Sequence, residues 1–582
     1  MVSTFTWVLV GVVAYTILGM VLRTRGLLPE SVRLSGPITT LHTKKGRQLL
    51  ERLARPKRFW RAWGNVGFGL GLVVMIGSFL VVLLAGYQAI VNPQPTQLNE
   101  PRNVLAIPGV NEFLPLAVAP EIVTGLVLGL IVHEGGHGLF CRVEGIDIES
   151  MGLALLTIIP IGAFVEPDED DIQRSRRGSQ VRMFAAGVTN NFAVSLIAFL
   201  LLFGPVMGSF AVVDGANVGG VLPGSSADAA GVDRGTVITG VDGRSVTSAR
   251  ELEGILANST SQSVELQLQD GESVTVERSV QVTGAVASAP LGTNDTIQAV
   301  NGTSIHREAQ FRQAARNHTM ANLTTRSGSV TMPLGAFARI SSDGALADEG
   351  APPEGSLVVT EIDGERIVDQ TDLRRALDGR RQGESVTVVG YIDGEQQRYD
   401  VTLESGGTIG VAVSPGIGGL VVDDFGVEYY PAASFLEILG GNAEQATGTD
   451  SVSFPQRVIL TLVLPFAGVT TGLGYNFPGF TGFVTDFYEV GGLLGTFGDG
   501  VSFLLANVLF WTAWINLIIG QFNLVPTYPL DGGHILRASV ESVVARLPIE
   551  NKHSLTTVVT GAITVTMIAS LLLMVFAPRL LT

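Results

Sequence analysis

Six runs of mostly apolar residues punctuate the chain: Thr4–Leu22, Val66–Ile90, Leu114–Phe140, Met183–Phe210, Val501–Phe522 and Thr556–Phe576. About 20 such residues in a helix match the hydrocarbon thickness of a membrane. Inside lipid every backbone N–H and C=O must be satisfied within the protein, and a helix does this locally. The first run has no basic stretch before it and no small-residue cleavage site after it. It therefore reads as a retained helix and not as a removed signal peptide.

The composition agrees. Of 582 residues 46% are apolar and only 15% charged, yet the net charge is −16. Soluble proteins carry about 25% charged residues. The two facts are compatible if apolar and charged residues occupy different parts of the chain. A single soluble domain, a disordered chain and a basic nucleic-acid binder are all excluded, so no nucleic-acid partner is expected. Cys141 is the one cysteine, which rules out an internal disulfide framework and a cysteine-rich zinc site. It reads as a small packing residue.

Charge also gives an orientation. Residues 23–62 hold eleven Lys and Arg, which by the positive-inside rule makes this loop cytoplasmic. Alternation then places the N-terminus outside, 141–182 inside and everything after the fourth run outside. The exterior segment 211–430 holds 30 acids against 15 bases. The Asn-x-Ser/Thr sequons at Asn258, Asn294, Asn301, Asn317 and Asn322 fall there too. Val458–Val469 is apolar but is interrupted by Pro465 and Gly468, so 455–500 reads as interfacial or re-entrant.

Within the exterior segment a phrase repeats: Val237–Gly243, Ile297–Gly302 and Val358–Gly364, with terminal glycines 59 and then 62 residues apart. Each is an alternating strand that ends in an Asp-Gly or Asn-Gly turn, followed by a helical stretch. The period predicts tandem small domains. The first unit, with VGGVLPGSSADAAGV at 218–232, resembles a protease-associated PDZ domain; the third resembles one less completely, and the second is the most diverged. The resemblance implies docking of peptides or chain ends by strand addition. The plainer alternative is that the modules only shape an entrance.

The third apolar run contains His133-Glu134-Gly-Gly-His137. Histidines at i and i+4 share a helical face and can bind one metal, while the intervening glutamate can take a proton from water. A purely structural pair is the alternative, but unpartnered His and Glu would be costly in a helix this apolar. A catalytic zinc needs a third protein ligand. The sixth run leads into Asn523-Leu-Val-Pro-Thr-Tyr-Pro-Leu-Asp531-Gly-Gly-His534, where an acid at the membrane end of an apolar helix is a functional candidate.

These two motifs, with Ala186-Gly-Val-Thr-Asn-Asn191-Phe in the fourth run, resemble the site-2 protease family of intramembrane zinc metalloproteases. The likeness covers 114–210 and 501–576; the first two runs and the 23–62 loop look like additions. It implies Zn²⁺ held by His133, His137 and Asp531, with Glu134 as general base. It further implies that Asn523 helps hold the substrate backbone and that Asn191 lies near the active site, polarising the scissile carbonyl. His534 fits the motif outside the ligand set, and Val188 departs from the family's usual Ala-Gly-Pro. The broken segment Gly152–Val165 resembles the family's membrane-dipping strand pair, which would pair with an unwound substrate.

The expected fold is a polytopic α-helical membrane protein of about six spans, with a β-rich extracytoplasmic insertion of tandem PDZ-like modules. Its divisions are 1–110 (two spans and the basic loop), 111–210 (protease core), three modules at 211–275, 276–345 and 346–405, 406–500 (linker and re-entrant segment) and 501–582 (C-terminal core). The expected activity is cleavage of membrane-anchored proteins, pre-trimmed by another protease, in or beside their transmembrane helices at the cell membrane. Two alternatives remain: a catalytically silent scaffold or chaperone that binds through the modules, and another zincin drawing its third ligand from a downstream Glu-containing helix.

Overall fold

The computed structural model describes residues 4–29, 31–93, 97–104, 107–157, 159–441, 452–470 and 474–581. The chain forms two compact units. The first comprises 1–211, 434–482 and 490–582, and the second 212–433 and 483–489.

The first unit is helical. Its main helices are α1 Thr4–Thr24, α2 Lys44–Leu53, α3 Lys57–Val91, α4 Ala119–Glu144, α5 Arg177–Leu201, α6 Asp499–Asn523, α7 Asp531–Val544 and α8 Lys552–Leu580. Five helical segments are long and apolar enough to cross a membrane: Lys57–Val91, Leu116–Glu144, Arg177–Ser209, Asp499–Asn523 and Lys552–Leu580. They coincide with five of the six runs. The described apolar part of α1, Val10–Thr24, is shorter, as is Phe454–Thr470. Of the segment read as linker and re-entrant, 442–451 and 471–473 lie outside the described residues.

Sequence explains why α4 sits where it does. Pro120 in its first turn and the left-handed Gly145 just past its end fix its limits. Gly125, Gly129 and Gly136 lie four and then seven residues apart, so they share a face and let neighbouring backbones close in. A Cβ on Gly125 would lie 2.9 Å from the Trp511 carbonyl of α6, and one on Gly136 would lie 2.9 Å from the Ala186 carbonyl of α5. Helix α4 is thus clamped between α5 and α6, with its histidines on the enclosed side.

Beside α4 lies an antiparallel sheet in the order β1 Val32–Ser35, β2 Ile38–His42, β3 Ile148–Leu156, β4 Ile159–Pro167. The β1–β2 hairpin comes from the basic loop and pairs along β3, with Leu41 opposite Leu153. One edge of the β3–β4 hairpin is therefore occupied by the chain itself, and β4 is left as the open edge.

The second unit holds three similar antiparallel sheets. The first contains β5 Ala216–Val221, β6 Val237–Val241, β7 Ser263–Leu268 and β8 Ser273–Glu277. The second contains β9 Val280–Ala285, β10 Thr296–Val300, β11 Met320–Thr325 and β12 Ser329–Pro333. The third contains β13 Ala336–Ile340, β14 Ser356–Ile362, β15 Ser385–Ile392 and β16 Glu395–Thr402. The repeated turns at Asp242-Gly243, Asn301-Gly302 and Asp363-Gly364 have positive φ at both positions, the geometry of a tight hairpin turn.

Each sheet is completed by a strand from the segment that the sequence reading left as linker. β17 Val411–Val413 joins β13, β18 Leu420–Asp423 joins β9, and β19 Val427–Tyr429 joins β5. The chain runs out through modules one, two and three and returns through three, two and one, so the modules are nested and not simply tandem. Burial drives this return. Ile409 belongs to the third core, Leu420 to the second and Phe425 to the first, all essentially inaccessible. Each contributes about 1.5–3 kcal/mol relative to exposure.

Candidate metal centre

His133 and His137 lie one helical turn apart on the enclosed face of α4, with Nε2 atoms 3.2 Å apart. Asp531 Oδ2, at the start of α7, lies 3.2 Å from His133 Nε2 and 3.3 Å from His137 Nε2. Three donor atoms at the corners of a near-equilateral triangle match one face of a tetrahedron. Metal–ligand bonds of about 2.0–2.1 Å give an edge of about 3.3 Å. Among the described residues this is the His, Cys or carboxylate cluster that could hold a metal ion.

The supporting contacts fit the same use. His137 Nδ1 donates to the Met183 carbonyl of α5 at 2.9 Å. A carbonyl only accepts, so Nδ1 carries a proton, which leaves Nε2, facing Asp531, as the nitrogen available to a metal. Such outer contacts are how a metal-binding histidine is held in one tautomer. Asp531 Oδ2 is buried and accepts no hydrogen bond from the described residues. Lone pairs converging at this spacing repel one another unless a cation binds them together, so the donor set suits zinc.

Glycines make the assembly sterically feasible. A Cβ on Gly532 would lie 2.5 Å from the Leu524 and Val525 carbonyls, and one on Gly533 2.6 Å from the Thr527 carbonyl. The Asp-Gly-Gly sequence therefore lets α7 begin directly against the preceding turn, which aims Asp531 at α4. Gly187 of α5 faces the two imidazoles: a Cβ there would lie 2.7 Å from His137 Nε2 and 2.9 Å from His133 Nδ1. Sequence reasoning quoted Gly187 within a motif and gave it no role. No sequence signal marks it, because the imidazoles it faces belong to another helix.

Glu134 Oε2 accepts a hydrogen bond from the Val165 N–H at 3.2 Å. Val165 lies on β4, so the open sheet edge touches the carboxylate beside the histidines. A cavity of about 830 Å³ is lined by Glu134, His137, Asp531, Val165, Phe184 and His534. Glu149, Glu166, Asp168, Glu169 and Asp170 complete an acidic rim. His534 stacks on Phe184 with ring centroids 4.2 Å apart, which holds the ring at the wall.

The two asparagines are placed differently. Asn191 is fully buried between α5 and α4, where its Nδ2 donates to the Gly129 carbonyl at 3.3 Å. Asn523 donates to the Ile519 carbonyl one turn back in α6. Neither belongs to the residues lining the cavity.

Parts of the chain are similar to known proteins. An uncharacterized protein of Methanocaldococcus jannaschii is 26% identical over 165 residues, 28% of this chain and 42% of that one. A Clostridium perfringens protein provisionally named a zinc metalloprotease is 27% identical over 168 residues, 25% of this chain and 49% of its own. A membrane-bound transcription factor site-2 protease homolog of Arabidopsis thaliana is 28% identical over 150 residues, 25% of this chain and 28% of that protein. The chain thus spans less than half the length of each of these relatives. The sequence model of peptidase family M50 matches residues 121–567, a stretch that holds both histidines, Glu134, the modules and Asp531. With well over half of its length matched, the chain belongs to peptidase family M50.

Proposed function

We propose that the protein is an intramembrane zinc metalloprotease that hydrolyses peptide bonds in or beside the transmembrane helices of membrane-anchored proteins. The triangle of His133, His137 and Asp531 donors beside Glu134 carries this reading. When bound, zinc supplies a Lewis acid that polarises the scissile carbonyl and acidifies water. Glu134 takes the proton from the attacking water and returns it to the leaving amine. An unwound substrate strand adds to the open edge of β4, which brings its peptide bonds to the cleft. Asn523 and Asn191, bonded to helix carbonyls away from the cleft, support the helices that carry the site and do not touch the substrate in this arrangement.

The protein sits in the lipid bilayer of the cell membrane. The basic loop 23–62 faces the cytoplasm, the metal centre lies near that side, and the modules lie outside as PDZ-like filters. They admit substrates already shortened by another protease. A silent scaffold would have no need for three convergent donors and a glutamate beside them, so the protease reading is preferred. The test is cleavage of a transmembrane model substrate by purified protein, lost on zinc chelation and regained on zinc addition. Cleavage unaffected by chelation would overturn the reading.

A further inference from the structure

A second cavity, of about 840 Å³, lies where β1, the end of β2, the start of β3 and the start of α2 meet. Arg33, Lys44, Lys45 and Arg47 line it, and Glu149 is the one acid beside them among the described residues. The neighbouring polar groups are already spent. His42 is held on both ring nitrogens, by Ser150 Oγ at 2.8 Å and Thr40 Oγ1 at 3.1 Å. Arg47 donates to the Ile148 and Glu149 carbonyls at 3.2 and 3.4 Å, which fixes its guanidinium against β3 without neutralising it. Arg33, Lys44 and Lys45 make no ion pair among the described residues. Like charges around one cavity repel, and an anion shared between them offsets that repulsion.

Helix α2 adds an apolar component. Lys45, Leu49 and Leu53 follow one another at four-residue steps and so share a face, and both leucines are exposed. Only Ala54-Arg55-Pro56 separates α2 from α3, which is long and apolar enough to cross a membrane. Phe59, in the first turn of α3, is exposed as well. A short helix with cations at one end and exposed leucines along it, tied to the end of a membrane-length helix, suits the headgroup layer of a bilayer. A free inorganic anion would use the cations and leave the leucines idle. An anionic phospholipid uses both.

We infer that this cavity binds an anionic phospholipid. Arg33, Lys44, Lys45 and Arg47 take its phosphate, and an acyl chain runs along Leu49 and Leu53. The inference goes beyond the protease reading and does not depend on it, because binding is measured without turnover.

The experiment titrates the full chain, in dodecyl maltoside micelles, with dioleoyl phosphatidylglycerol or dioleoyl phosphatidylcholine and counts bound lipid by native mass spectrometry. Phosphatidylglycerol is expected to bind at least 10-fold more tightly than phosphatidylcholine. A cation near an anionic headgroup is worth about 5-fold in affinity. Lys45→Gln should therefore weaken phosphatidylglycerol about 5-fold, and Arg33→Gln, Lys44→Gln and Lys45→Gln together about 100-fold. All three side chains are exposed, so the lipid-free thermal midpoint stays at the parent value. Leu49→Ser with Leu53→Ser weakens the lipid at least 10-fold, and inorganic phosphate in 100-fold excess does not displace it. Arg546→Gln, an exposed change in the same unit outside the cavity, leaves binding as it was. Equal binding of the two lipids, no phosphatidylglycerol bound by the parent, or binding intact in the triple or the double-leucine variant overturns the inference. So does displacement by inorganic phosphate, or a loss in Arg546→Gln as large as in Lys45→Gln.

Discussion

His133 Nε2 and Asp531 Oδ2 lie 3.2 Å apart, although most of the chain separates them in sequence. Two independently positioned helices, α4 and α7, thus meet at a single point. Asp531→Ala removes one of three donors there. Zinc affinity, read by competition with a chelator, is expected to fall by more than the roughly 10–100-fold typical of losing an outer-shell partner. Unchanged affinity would place the metal elsewhere.

Gly187 gives a second handle on the same point. Gly187→Ala puts a methyl 2.7 Å from His137 Nε2, so the imidazoles must move. The expected cost is about 1–3 kcal/mol of stability, together with at least a 10-fold loss of zinc affinity. Gly77→Ala on α3, where an added Cβ meets nothing within 4 Å, should change neither. Thermal unfolding and chelator competition on both variants check the contrast.

The junction between the first two modules should weaken as pH rises. Burial pushes Asp423 up to about 7, with Asp424 and Glu308 adding to the rise. Burial also raises Glu308, and it raises Glu253 with help from Glu308. Because the folded Asp423 holds its proton more tightly than the unfolded chain does, its penalty is absent below about pH 4. The penalty grows to about 4 kcal/mol as pH rises through 7. Asp423→Asn keeps an oxygen acceptor for the N–H groups of Phe425, Gly426 and Val427 and carries no charge. Its thermal midpoint should therefore vary less than the parent's between pH 5 and 8. Equal pH slopes would contradict this.

Arg278 is fully buried and donates to Asp424 and to the carbonyls of Ser259, Ser261 and Leu256. Asp424→Ala leaves that guanidinium without its counter-charge, at a cost of about 3–5 kcal/mol. Arg244→Ala, an exposed change in the same module, should stay within about 0.5 kcal/mol. Denaturant unfolding of the full chain compares the two.

The convergence of His133, His137 and Asp531 was partly legible because their signals are local. His133 and His137 announce a shared helical face by spacing alone, and Asp531 stands out as an acid at the end of an apolar run. The repeated Asp-Gly and Asn-Gly turns were equally legible, since both residues must take positive φ. The return strands were not. Val411–Val413, Leu420–Asp423 and Val427–Tyr429 are three or four residues long, and each finds its partner strand far upstream. Nothing local distinguishes such strands from a linker; what fixes them is burial of Ile409, Leu420 and Phe425 in three separate cores. The β1–β2 hairpin was hidden in a loop read only for its charge. Gly187 was invisible because its neighbours, the two imidazoles, come from another helix.

Glu134 tests the central claim most directly, because it lines the cleft beside the three donors without being one of them. Purified parent and Glu134→Gln should be compared for bound zinc and for cleavage of a transmembrane model substrate. The account predicts about one zinc per chain in both, with cleavage in the variant reduced about 1000-fold, within the roughly 100- to 10,000-fold usual for losing a general base. Cleavage persisting near the parent rate with zinc still bound would contradict it.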